Sequence, residues 1–303
     1  METMLDVVAQ ENIEGQYNRK HIDTKIREAI QANPIMVQRL SQGAELVKAY
    51  LTGSYYASKM KRLAQLQTLD VEALVMDIFV GVAYLLRPEL FTSVSAQMSD
   101  RLGFNDRVEA ITTVGELIAV LCETDAYDIL KEKRQSSLMV VSRIPLDEEL
   151  THFIEHSQYL PPMLCEPLKL THNHSSGYLT HNDSLILGSG NHHDGDICLD
   201  VLNTVNRVQL KLATDFLSTV EEEPTFEVDT QEKADHWLHF KKQSYFFYKL
   251  MATSGNRIYF TNKVDKRGRM YACGYHMNPQ GAAFKKAQLE LAKEELVEGV
   301  PTI

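Results

Sequence analysis

The sequence predicts a mainly α-helical fold: a helical N-terminal domain, a loop-rich and helical middle, and a short α/β segment at the end. Three observations predict it. Apolar residues recur at helical spacing through much of the first 150 positions. Roughly forty residues after Pro162 are dense in Gly, Ser, Asn and His. After Asn256 the period changes to β-rich runs around a turn. A chain of 303 residues with 44% apolar and 24% charged side chains leads us to expect about two domains and a sizeable core. The expected boundaries are 1–158, 159–254 and 255–303.

From Asp23 to about Gln67 the spacing is helical, with a break at Asn33-Pro34 because proline disfavours helix in the residue before it, so two helices are predicted. Asp70 can cap the next, in which Val71, Leu74, Val75, Ile78, Val82 and Leu85 share a face until Arg87-Pro88. This stretch carries Glu72 and Asp77 and falls short of the ~20 residues a membrane span needs, so it reads as a core helix. A further helix is predicted from about Val108 to Lys133.

Past Tyr159-Leu160-Pro161-Pro162, the segment LTHNHSSGYLTHNDSLILGSGNHHDGD reads as loop, with one short hairpin around LILGSG. Helix is expected to resume near Asp200, with Val201, Val205, Val208, Leu212 and Phe216 as its stripe and Glu221-Glu222-Glu223-Pro224 as its end. Asn203, Asn206 and Gln209 lie off that stripe. They have the chemistry to face a phosphate backbone, although a solvated helix face is the simpler reading. Thr230 to Ala252 is a further helix whose Trp237, Phe240, Phe247 and Met251 read as core. Arg257–Val264 and Arg269–His276 then read as strands flanking Asp265-Lys266-Arg267-Gly268, a hairpin whose glycine suits positive φ. From Gln280 onward helix is predicted again, with Phe284, Ala287 and Leu291 on one side.

Composition bounds the function. Cys122, Cys165, Cys198 and Cys273 are scattered without a C-x-x-C pair, so neither a disulfide framework nor a zinc signature is indicated. The N-terminus lacks a basic start and an apolar middle, which leads us to expect a cytoplasmic chain. G-x-S-x-G and the P-loop motif are absent. His172, His174, His181, His192, His193 and Asp194 invite a metal reading, but they lack the short fixed spacings of zinc ligands and read as a polar surface loop. His193-Asp194, with His174 before it and Asp200 after, is similar to the ligand set of helical HD-type metal phosphohydrolases. Gly188, Gly190 and Gly195 keep this pair in a loop, whereas that family places it on a helix.

The net charge of −10 argues against a general nucleic-acid binder, yet Asn256–Lys286 holds seven cations against one anion. A local basic surface on an acidic body suits contact with a polyanion at one place. Lys266, Arg267 and Arg269 surround one glycine. Arginine there offers planar forks to phosphate oxygens, and glycine lets a backbone come close.

The pattern Asp265-x-x-Gly268-Arg269, then Tyr271-Ala272, Asn278-Pro279-Gln280-Gly281, Lys286 and Leu289-x-Leu291-Ala292-Lys293, resembles the start of the palm in phage-type single-subunit RNA polymerases. Weaker similarity runs back through the Val201–Leu217 stretch to Pro161-Pro162, and the first 150 residues carry none. The resemblance implies that Asp265, Lys266, Arg267, Gly268, Arg269 and Tyr271 contact template strand or RNA–DNA hybrid, with Asn278, Gln280 and Lys286 supporting the same path. It also implies a thumb-like middle and a palm begun at 255–303. The family's catalytic centre uses two Mg2+ held by aspartates beyond the D-x-x-G-R element, and no aspartate follows Asp265 here. The resemblance therefore assigns this chain no catalytic residue and no metal. The expectation is the small subunit of a two-chain polymerase, an arrangement characteristic of podoviruses of the N-four type. A larger partner would complete the palm and hold Mg2+, the setting would be the cytoplasm of an infected bacterial host, and a promoter-recruiting factor would be a further partner. An unfinished palm leads us to expect open sheet edges. A non-enzymatic nucleic-acid-binding accessory protein is the alternative that uses the same hairpin.

Overall fold

The computed structural model describes residues 4–131, 137–188, 191–293 and 299. The protein is mainly α-helical, with small sheets of short strands. It forms two compact units, Arg19–Glu155 and a discontinuous one made of Met1–Asn18 with His156–Ile303. Helix α1 (Met4–Tyr17) thus belongs with the second unit.

In the first unit, α2 (Arg19–Ala32) buries Ile22, Ile26 and Ile30, the i, i+4, i+8 positions of one face. The predicted break follows. Asn33 accepts hydrogen bonds from the Ile35 and Met36 amides at 3.0 and 3.2 Å, and Pro34 opens α3 (Pro34–Thr52). The helix expected to reach Gln67 is in fact two, because Gly53 ends α3 in an extended conformation and α4 (Ala57–Leu66) starts afresh. Asp70 caps α5 (Val71–Ala83) as predicted, accepting from Glu72 and Ala73 at 2.9 and 3.2 Å. A Cβ on Gly43 would lie 2.9 Å from methyls of both Leu121 and Val75, so any larger residue there would force these side chains to shift.

Beyond β1 (Glu89–Leu90) and α6 (Phe91–Met98), helix α7 (Arg107–Leu121) ends well short of the expected limit. Asp125 turns the chain in a left-handed conformation, φ 57°. The residues after it form β2 (Tyr127–Lys131), paired antiparallel with β3 (Leu138–Ser142), whose other side takes β1. Helical spacing overshot because Tyr127, Ile129 and Leu130 also satisfy a strand, and their partners Val140 and Met139 decided the outcome. Lys133 lies outside the described residues. Within this unit Arg62 is buried and donates to Thr113 at 2.7 Å and Glu116 at 2.9 Å, while the Tyr50 hydroxyl donates to the same carboxylate. Burial pushes the Glu116 carboxyl up, but these hydrogen bonds outweigh it and hold the group below its usual range. Helix α8 (Glu148–His156) ends the unit.

In the second unit the predicted 201–217 helix is divided into α9 (Leu199–Asn206), β4 (Leu210–Leu212) and α10 (Thr214–Thr219). Val201 and Val208 of the expected apolar stripe are 46% and 42% exposed. The predicted 230–252 helix stands as α11 (Gln231–Thr253), with Phe247 and Met251 buried. The hairpin is β5 (Asn262–Val264) and β6 (Met270–Ala272). The last predicted helix is cut to α12 (Ala283–Ala287), because Leu289–Leu291 forms β7 and pairs antiparallel with β4. Leu291 is therefore an exposed strand residue and does not share a helix face with Phe284.

The long segment after Pro162 is anchored at intervals by apolar contacts. Met163, Cys165 and Tyr178 cluster with Tyr259, and Leu170, Leu185 and Ile186 cluster with Leu202 and Val264. Leu185–Leu187 runs beside the later hairpin. It pairs with β5, the Val264 amide donating to Leu185 and the Leu187 amide to Val264, each at 2.8 Å. Ser189 and Gly190 of the expected turn lie outside the described residues. Glu14 of α1, fully buried, accepts from the Leu179 and Thr180 amides at 3.0 and 2.8 Å and from the Thr180 hydroxyl at 2.6 Å.

Candidate nucleic-acid interface

The hairpin tip is built around one carboxylate. Asp265 Oδ1 accepts from the Arg267 and Arg269 amides at 2.9 and 3.0 Å. Its Oδ2 accepts from Arg267 Nε at 3.3 Å, Arg269 Nε at 2.8 Å and the Tyr271 hydroxyl at 3.3 Å. The backbone closes beneath, with Gly268 N–H donating to Asp265 C=O and Asp265 N–H to Arg269 C=O, both at 2.9 Å. Gly268 takes φ 78°, as the turn requires. Desolvation pushes the Asp265 carboxyl up slightly, and the Arg269 amide and guanidinium overcome it, leaving the group below the usual carboxylate range.

Of the residues the sequence singled out, Asp265, Lys266, Arg267, Gly268, Arg269 and Tyr271 all come together at this tip. The Arg267 and Arg269 side chains are 70% and 53% exposed, so each guanidinium is tethered to Asp265 while presenting donors outward. Lys266 is exposed and forms no ion pair among the described residues. Lys286 is exposed on α12. Part of the basic excess is neutralised nearby, since Lys263 pairs with Asp183 at 2.7 Å and Arg257 with Asp6. The positive surface is therefore narrower than the composition of 256–286 suggests, and centres on the tip.

Asn278 and Gln280 act on backbone. Gln280 Oε1 accepts from the Ala272 amide at 2.8 Å and its Nε2 donates to Met270 C=O at 3.1 Å, occupying two of the outward polar groups of β6, while Asn278 Nδ2 reaches the Ala272 carbonyl at 3.3 Å. Asn278 Nδ2 donates to Gly274 C=O at 2.8 Å, and its Oδ1 accepts from the Gln280 amide at 2.8 Å. The edge expected to stand open is closed here by a side chain. The Asn203 and Asn206 amides are engaged within the chain, Asn203 half-buried and Asn206 buried. Asn203 grips the Leu170 backbone with both ends of its amide, at 2.8 and 3.0 Å, and buried Asn206 accepts from Asn262 at 2.9 Å.

Sequence reasoning missed His276. It is buried, its Nδ1 lies 2.8 Å from Ser244 Oγ, and its carbonyl accepts from Tyr248 and Gln288 at 3.1 Å, tying the outgoing strand to α11. Burial, then Lys285 and His156, lower its pKa to about 4. The β-rich pattern of 269–276 held no signal of this anchor, because Ser244 is 32 residues away.

The histidine-rich loop brings its polar groups together in pairs. The His174 and His192 rings lie 3.6 Å apart, tilted by 33°, His192 meets the fully exposed Asp194 at 3.1 Å, and His181 lies against Glu14 at 3.7 Å. Among the described residues, none of these groups belongs to a trio of donors close enough to share an ion. At the hairpin, Asp265 is turned onto amides and guanidiniums, so the tip does not fit a Mg2+ site either.

The arrangement offers two tethered guanidiniums, an ammonium and a close-approach glycine, a donor set for phosphate and sugar oxygens without base readout. The chain matches no protein-family model. It is 29% identical over 144 residues to a probable DNA-directed RNA polymerase of Gelasinospora sp. (strain G114), an alignment covering 43% of this chain and 17% of that protein. The chain thus spans about a sixth of that relative's length.

Proposed function

We propose that this chain is a subunit of a two-chain DNA-dependent RNA polymerase and lays its 265–269 hairpin against the template strand and RNA–DNA hybrid. The observation that carries this reading is the Asp265 hub, which fixes Arg267 and Arg269 on the turn with their donors facing outward. The partial similarity to a polymerase supports it. In this proposal a larger partner chain completes the palm and holds the catalytic Mg2+, because Asp265 is committed to the turn. The reading places the pair in the cytoplasm of an infected bacterial host. Promoter choice falls to the partner or a recruiting factor, since contacts to phosphate report no sequence.

Arg269→Ala should weaken binding of an RNA–DNA hybrid by the assembled enzyme about tenfold and lower the salt slope by about one counterion. Filter binding across a salt series measures both, and an unchanged slope would remove Arg269 from the interface. The isolated chain should synthesise no RNA and should co-purify with the larger subunit. RNA synthesis by the chain alone contradicts the two-chain reading. Hybrid binding with no polymerase partner instead selects the accessory-protein alternative.

A further inference from the structure

The second unit holds a cleft of about 800 Å³ that the hairpin does not use. One wall is aromatic. Trp237 and Phe240, neighbours on one face of α11, stack 5.3 Å apart at 23°, and Tyr275 meets Phe240 edge-on at 5.8 Å. Glu222 and Glu223 also line the cleft. Neither forms an ion pair among the described residues, whereas the adjacent Glu221 is paired with Lys241 at 3.0 Å. Lys285 shows that these rings accept a cation: its Nζ stands 4.8 Å from the Tyr275 ring and 5.3 Å from Phe240 while donating to Tyr275 C=O at 2.6 Å. Indole is the best cation-binding ring, and among the described residues no cation stands over Trp237.

We infer that this cleft docks an arginine-bearing segment of a partner protein, with the guanidinium against Trp237 and within reach of Glu222 and Glu223. Three carboxylates, Glu221, Glu222 and Glu223, stand with two ammoniums, Lys241 and Lys285, both already engaged, so the site keeps a net negative charge that complements a cation and disfavours phosphate. Burial pushes the Glu222 carboxyl up and outweighs the opposing pull of Lys285 and Lys241. Arginine suits the site better than lysine because its plane stacks on indole while its edge donates to carboxylates. The inference stands whether or not the chain serves a polymerase.

Trp237 is the chain's single tryptophan, so its emission reports on the cleft directly. The full chain is titrated with a blocked glycine-serine peptide carrying one central arginine, with the same peptide carrying citrulline, and with a ten-nucleotide oligo-dT. The arginine peptide should produce a saturable emission change, about tenfold weaker with citrulline and about tenfold weaker in the Glu222→Gln/Glu223→Gln double variant. Far-UV circular dichroism checks that the variant keeps its fold, and isothermal calorimetry on the same peptides gives a second readout. No response to the arginine peptide up to about 5 mM, an equal response to citrulline, or a response to the oligonucleotide alone would each overturn the inference.

Discussion

Glu14 organises a stretch that has almost no regular structure. Burial pushes its carboxyl up, but His181, Thr180, Gln10 and the Leu179 amide bring it from its ordinary 4.5 down to about 2. A depressed carboxyl stabilises the fold above its unfolded value and loses that contribution as pH falls through 4.5 toward 2, here about 3 kcal/mol. Glu14→Gln should therefore lower unfolding stability by about 3 kcal/mol at neutral pH and flatten the acid limb below pH 4.5, measured by urea unfolding across pH. Glu116→Ala should cost about 2 kcal/mol by stranding buried Arg62, less than a fully enclosed pair would because Glu116 is 26% exposed. Denaturant midpoints would report it. Neither residue was legible as an anchor, since the amides that Glu14 holds lie 165 and 166 residues away. Asp265 was legible as part of a turn because its partners are two and four residues along.

Elements were readable where local chemistry and length agreed. Asn33-Pro34, Asp70 and the 231–253 helix carry their own caps and enough turns to be seen in one dimension. The 265–268 turn carries its own glycine. Gly268→Ala meets open space but must hold φ 78°, so backbone strain alone should destabilise the hairpin by about 1 kcal/mol. Hydrogen exchange at the 262–272 amides would localise that loss, and unchanged protection would contradict it. Illegible elements were those whose identity depends on a distant partner. Leu210–Leu212 fits a helical stripe until Leu289–Leu291 pairs with it, and 127–131 fits a helix until Val140 and Met139 arrive. Three to five residues are too few for the period alone to distinguish the two.

At the scale of the whole molecule, chain order and spatial order part company: α1 joins the unit that holds the last half of the sequence. Composition reads a domain change near Tyr159 but says nothing of that return. Two groups buried in this unit contribute strongly to the acid response. His276 resists protonation down to about pH 4, so between 6.5 and 4 the unfolded chain binds a proton that the folded chain refuses. Stability should fall by about 1.4 kcal/mol per pH unit across that window, with Glu14 continuing the decline below 4.5. Thermal scans at intervals from pH 7 to 4 test the first limb, and His276→Asn should level it. Gln280, finally, determines how the hairpin can be joined. Its amide is a counterfeit strand one residue long, supplying both a donor and an acceptor to β6. A glutamate there offers only acceptors and would push against the Met270 carbonyl, so isosteric replacement would unstopper the ladder. With the stopper seated, a strand added along β6 would first have to displace Gln280 from the Ala272 amide and the Met270 carbonyl.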